Sequence, residues 1–144
     1  MSPSYSALDA VSAAVYSTLN VAALLAVAPG GVSDQVPQNA TFPRVLYEVS
    51  ELVIGGLGSR PGAGQRLLEI DLRVHAFSTY AGMLECQRVL AVALELLATA
   101  PSVTGYGSWA IFHDDTVPLP DQMVAGKRVN ELVANCRLYV SEAA

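Results

Sequence analysis

The residues able to do chemistry are few, and their spacing argues against most of it. The two histidines are His75 and His113. His113 is followed by Asp114 and Asp115, a run that could hold a divalent cation if a third or fourth ligand converged on it. The neighbouring residues supply none, so the run reads as a solvated acidic segment. His75 lies between Val74 and Ala76, in an alternating pattern that puts it on the polar side of a strand. The two cysteines, Cys86 and Cys136, form no metal-binding or redox motif, and both sit in apolar-periodic segments. They read as buried free thiols. Residues 55–64 (GGLGSRPGAG) are rich in glycine, but no Lys follows a glycine there and the segment leads into a strand. That excludes the phosphate-cradling and dinucleotide-binding loops, which open a helix. Gly107-Ser108-Trp109 is not a nucleophile elbow. No catalytic, cofactor-binding or metal-ligating set emerges.

Composition points to a well-packed domain with little charge. Of 144 residues, 52% are hydrophobic and only 15% charged, against about 25% charged in an average domain. So little charge suggests surface buried in an assembly. Thirteen acidic residues against eight basic ones give a net charge of -5, which argues against a nucleic-acid grip, because such proteins carry a clustered basic footprint. The longest apolar run, Val21 to Ala28, is far short of the about 20 residues of a membrane-spanning helix. The N-terminus carries no basic start of a signal peptide. The reading is a protein made in a cytoplasm, with no membrane partner.

The elements that must position these residues can be read from periodicity. Residues 6–19 carry Leu8, Val11, Val15 and Leu19 at helical spacing. A short helix follows over Val21–Val27, capped by Asn20 and ended by Pro29-Gly30-Gly31. Val32–Pro37 is a short extended piece. Arg44–Ile54 alternates as a strand. Gln65–Phe77 alternates most clearly, with Leu68, Ile70, Leu72, Val74 and Ala76 on one side and Glu69, Asp71, Arg73 and His75 on the other. These two strands, joined by the Gly-rich loop, predict a long hairpin. Ala81–Ala98 is a helix, capped by Ser78 or Thr79, with Glu85 and Arg88 paired on its outer side. Tyr106–Phe112 is a third strand with Trp109 in the core, His113–Gln122 a Pro-containing loop, and Val129–Val140 a fourth strand. The fold class is α+β: one domain over residues 1–144, a small antiparallel sheet of about four strands flanked by helices, with a flexible loop at 55–64.

The segment Leu19–Pro43 resembles the start of the phage tail-terminator, or tail-completion, family. There a helix ends in glycine before a "V-x-D-x-V-P" strand and an "x-x-P-x-V" strand entry, matched here by Val32, Asp34, Val36 and Pro37, then Pro43 and Val45. A second resemblance lies in Asp71–Leu94, where a strand end, a glycine and a return helix correspond to Leu72, Val74, Phe77, Ser78 and Gly82. The chain departs from the pattern with His75 and Ala76 before Phe77.

The resemblance implies a structural virion protein of long-tailed phages or gene-transfer particles. Such proteins are not enzymes; they form a hexameric ring that caps the tail tube protein and presents a surface to the head–tail connector or stopper protein. DNA passes through the lumen without specific binding, the place of action is the tail–neck junction of the virion, and no cofactor is implied. The alternative within the virion is a neck or stopper protein; outside it, a non-viral oligomeric binding module. On this reading Glu48, Glu51, Glu69, Asp71, Asp114 and Asp115 are candidates to line an acidic channel that repels phosphates. Leu57, Ser59 and Arg60 on the loop, with Arg66, Lys127 and Arg128, are candidates for contacts between subunits.

Overall fold

The structure, a computed structural model, describes the backbone of residues 3–54, 67–99, 103 and 105–142, and the side chains of residues 8–50, 68–99, 103, 105–107 and 110–141. Three helices and five strands follow in the order α1 (Pro3–Leu19), α2 (Ala22–Leu25), β1 (Val32–Ser33), β2 (Arg44–Ile54), β3 (Leu67–Ser78), α3 (Leu84–Leu97), β4 (Tyr106–Val124) and β5 (Lys127–Glu142). The strands form one sheet in the order β1-β2-β3-β5-β4. Only β1 pairs in parallel, with Val32 and Ser33 opposite Val45 and Leu46. The sheet is therefore mixed and five-stranded, where four antiparallel strands were expected.

Alternation decides which side is covered. On the helix side, Leu68, Ile70, Leu72, Val74 and Ala76 of β3 and Ala134, Cys136, Leu138 and Val140 of β5 are wholly buried. Val11, Val15 and Leu19 of α1 and Cys86, Val89, Ala93 and Leu97 of α3 close over them. Each buried Val, Leu or Ile among them contributes about 1.5–3 kcal/mol through its removal from water. Gly30 fixes how the chain enters β2: its N–H donates to Pro43 O at 2.9 Å. A Cβ there would stand 2.2 Å from Thr41 O, so no other residue fits.

The largest departure from the expected elements is β4, which runs on through residues 113–122, read above as a loop. Its register with β5 continues from Tyr106↔Glu142 to Val124↔Lys127. Proline in a central strand would remove a ladder hydrogen bond, but Pro118 and Pro120 lie on an edge strand, where one side needs no donor. Bulges between His113 and Asp115 and between Leu119 and Gln122 absorb the irregularity. Ala125 and Gly126 close the hairpin, both at positive φ (50° and 78°), the backbone of a two-residue type I′ turn.

The helix caps also differ. Asn20 does not cap α2; its side chain donates to Tyr16 Oη at 3.2 Å. Ser78 does not cap α3 either: it donates to Glu85 Oε1 at 2.6 Å and accepts from Tyr80 N–H at 3.0 Å. Glu85 is thus turned toward the end of β3 rather than toward Arg88. Trp109 pairs with Val140 in register, and its side chain lies outside the described residues.

Candidate functional site

The side of the sheet away from the helices carries a dense set of charges among the described residues. It is built from odd-numbered positions of β3 and β5, because side chains alternate along a strand. Glu69, Asp71, Arg73 and His75 come from β3, and Glu131, Asn135, Arg137 and Tyr139 from β5. Glu48 of β2 stands opposite Arg73. Asp115 of β4 stands opposite Asn135, and the bulge before it brings Asp114 over Arg137 as well. A regular strand would point adjacent residues to opposite sides, so the bulge is what places both carboxylates here. Six carboxylates (Glu48, Glu69, Asp71, Asp114, Asp115, Glu131) thus share this side with two guanidiniums (Arg73, Arg137).

Two hydrogen-bonded groups organise the surface. In the first, His75 is flanked by carboxylates. Its Nδ1 contacts Glu131 Oε2, and its Nε2 lies 3.3 Å from Glu48 Oε1. Glu131 is nearly buried, 6% exposed, and its other oxygen accepts from Gln122 Nε2 at 2.8 Å. Burying that carboxylate requires these partners. In the second, Arg137 grips Asp114 with two parallel bonds, Nε to Oδ2 at 2.9 Å and Nη2 to Oδ1 at 3.0 Å. Tyr139 Oη donates to Glu69 Oε1 at 2.6 Å. The bond to Glu69 raises the Tyr139 hydroxyl above its ordinary pKa, and Asp114 does the same for the Arg137 guanidinium. Asn135 Nδ2 donates to Asp115 Oδ1 at 2.7 Å. Arg73 reaches Asp71 and Glu48 only at 3.9 and 4.0 Å, from a half-exposed position.

The structure brings five of the six expected channel residues onto this one side: Glu48, Glu69, Asp71, Asp114 and Asp115. Glu51 pairs in register with core-facing Ile70, and its side chain lies outside the described residues. Asp114 and Asp115 sit on a strand and not on a loop. Sequence reasoning missed Glu131, although its odd-numbered position in β5 signalled the same side as Arg137 and Tyr139.

Of the expected contact residues, Leu57, Ser59, Arg60 and Arg66 lie outside the described residues. Lys127 and Arg128 follow the β4–β5 turn, at one end of the sheet. Lys127 Nζ donates to Ala40 O at 3.1 Å and stands 5.7 Å above the Phe42 ring centre. Arg128 is exposed and lies 3.2 Å from Asp121.

Nothing in this arrangement assembles a reaction centre among the described residues. His113 Nε2 faces Thr116 Oγ1 at 2.7 Å and Asp115 O at 3.0 Å, while Asp114 is occupied by Arg137. No three His, Cys, Asp or Glu side chains converge on a metal position there. Cys86 and Cys136 are buried free thiols whose pKa burial pushes up to about 11, so neither is a nucleophile near neutrality. No described helix is long and apolar enough to cross a membrane.

No curated protein sequence matches this chain. Among solved structures, a chain from the virion of a native gene transfer agent particle superposes with a TM-score of 0.66 at 19% identity. The alignment covers 94% of this chain and 99% of that one. A further solved structure aligns over 94% of this chain at a TM-score of 0.44, too low to carry an argument. The family model for tail completion protein gp17 matches residues 9–133, from the middle of α1 into β5. The chain belongs to the tail completion protein gp17 family and is a structural protein of a phage-type tail.

Proposed function

We propose that this protein is the terminator of the tail: copies form a hexameric ring that caps the finished tube and joins it to the head connector, at the tail–neck junction. It does so without enzymatic activity, and DNA passes through its lumen. The observation that carries this reading is the acidic side of the sheet. A channel for DNA must not hold the phosphates that slide along it. Carboxylates in excess over guanidiniums, focused in a ring, repel a polyanion. Arg137 is engaged by Asp114, and Arg73 lies between Asp71 and Glu48 at 3.9 and 4.0 Å, so each cation has an acid beside it.

Two details belong to the proposal. Glu48, Glu69, Asp71, Asp114 and Asp115 face the lumen. The loop at 55–64, with Leu57, Ser59 and Arg60, reaches the adjacent subunit or the tube. Deleting Leu57 to Ala63 then leaves a folded chain that no longer assembles; normal assembly overturns that detail.

The experiment is electron microscopy of particles made when the gene is silenced. Overlong tails of irregular length without heads are expected. Tails of normal length that fail to join filled heads would instead make the protein a neck or stopper component. Unchanged, infectious particles would remove it from tail assembly.

A further inference from the structure

A strand at the edge of a sheet carries unpaired N–H and C=O groups, and proteins blunt such edges with prolines and bulges or cover them. Both edges of this sheet keep a short run that is neither blunted nor covered. β4 pairs only with β5 among the described residues. Its residues 113–122 are blunted by two bulges and by Pro118 and Pro120, but residues 109–113 run in unbroken register opposite residues 136–140. Ile111 is half-buried and every residue from Phe112 to Asp121 is exposed, so the strand is open on both sides as well as along its edge. At the other edge, β1 covers only Val45 and Leu46 of β2. The Val45 N–H points outward and donates to Gly31 O at 3.0 Å. By alternation the Val49 N–H points the same way, and no described strand meets it. A groove of about 330 Å³, lined in part by Tyr47 and Val49, lies there instead. Residues 47–51 keep unbroken register with β3 up to the bulge after Glu51. Five residues on each edge are thus free to take a further strand.

We infer that residues 109–113 of β4 in one copy pair antiparallel with residues 47–51 of β2 in a second copy, Ile111 opposite Val49. The inference rests on the ring and lumen proposed above and names the contact that closes the ring. Three observations select a second copy. The first is direction. β2 and β5 run one way and β3 and β4 the other. A neighbouring sheet set alongside with its acidic side turned the same way therefore brings its β2 against β4, antiparallel. A lumen lined by that side requires this placement, and a contact between unlike edges repeats head to tail until it closes. The second is sidedness. Ile111 and Val49 are partly buried against the same core from opposite edges, and in this register they meet, so the apolar layer of one copy continues into the next. On the acidic side Ala110 meets Ser50 and Phe112 meets Glu48, and no two carboxylates are opposed. The third is length. His113 falls opposite Tyr47, the first residue of β2 that β1 leaves uncovered. Past that point the neighbour's β1 stands in the way, and the bulge after His113 lets β4 bend out of the ladder there.

The test is a pair of cysteines, Ser50→Cys with Ala110→Cys, in the full chain, in particles where it is the only form present. Both positions are exposed. Opposed residues of an antiparallel pair have Cβ atoms about 5 Å apart, within reach of a short bis-maleimide. The native thiols, buried with pKa raised to about 11, do not compete at neutral pH. The expected result is a ladder of covalent multimers from the double variant and none from either single variant. Dimers from Ala110→Cys alone would mean that β4 pairs with β4 across a two-fold axis, and a link to a chain of different mass would mean that β4 receives another virion protein; each overturns the inference. Particles that carry the double variant at the tail end yet give no ladder overturn it too, while leaving the terminator reading standing. A second variant reads the backbone. Val49→Pro removes an outward N–H and leaves the ladder to β3 in place. Its far-UV circular dichroism should be unchanged and its incorporation into tails lost, and a folded Val49→Pro chain that assembles normally overturns the pairing. If that chain does not fold, the cysteine pair decides alone. Failure of the terminator reading shows separately, as normal tails in the silenced strain.

Discussion

The two sides of the sheet are made by alternate residues of the same strands, yet they are held by different physics. Along β5, Ala134, Cys136 and Leu138 have no exposure at all, while Asn135 and Arg137 between them meet solvent. The helix side is a packed apolar interior, where each lost methyl group leaves a hole. The other side has a smaller apolar cluster at one end, Leu46, Phe77 and Val129, and is otherwise a layer of ionic and hydrogen-bonded pairs, whose attraction is largely offset by the hydration given up. The contrast teaches that the larger share of apolar burial lies on the helix side, which frees most of the other to be shaped by what it must admit or repel.

The strongest way to break this contrast is Leu138→Ala. It removes a fully buried side chain facing Ile70 and Ile111 across the sheet, and about 2–5 kcal/mol of stability with it. Urea unfolding measures it, and a loss below about 1 kcal/mol would mean the helix side is not a packed core. The next effect is alkaline. Both thiols have ordinary values of 9.0 and are raised to about 11 by burial. A raised value means the folded state keeps its proton longer than the unfolded chain. The associated stability is therefore complete below pH 9 and lost as pH climbs toward 11, by up to about 3 kcal/mol per thiol. Urea midpoints measured across that range should fall, and a Cys86→Ala, Cys136→Ala chain should show a flatter decline.

On the charged side, Glu131→Ala strips partners from His75 and Gln122 and should cost about 1–3 kcal/mol, because Glu131 is the one carboxylate there that is nearly buried. Glu131→Gln should cost less. The smallest effect is expected from Arg137→Ala, despite its two-pronged grip on Asp114, since both groups are exposed to water. Its unfolding midpoint should stay close to that of the unaltered chain. A shift as large as that of Leu138→Ala would erase the distinction between the two sides.

Much of the sheet was legible in the residues themselves. The alternation from Leu68 to Ala76 assigns each side chain of β3 correctly, and Arg44–Ile54 is β2 with the expected bounds. The stretch from His113 to Gln122 was not legible. Its aspartates and prolines have turn chemistry, and only its place at the edge of the sheet lets them stay extended. β1 was read as a short extended piece, but its parallel pairing with β2 is a long-range fact that no local pattern carries. The acidic residues of the charged side were recognised by type. That five of them meet on one surface depends on strand order, on register and on the bulge at Asp114, none of which periodicity reports.

The sequence by itself determined the α+β class, the inward row of each central strand, the buried thiols and the acidic balance, because these follow from alternation and composition. The tertiary structure alone decided that Glu48, Glu131 and His75 meet, that Asp114 answers Arg137, and that the β4–β5 hairpin tip brings Lys127 to Ala40 and Phe42. The physical reason is range. Side-chain alternation acts between neighbours two residues apart, whereas these contacts join strands far apart in the chain, whose order is chosen by burying the whole core at once.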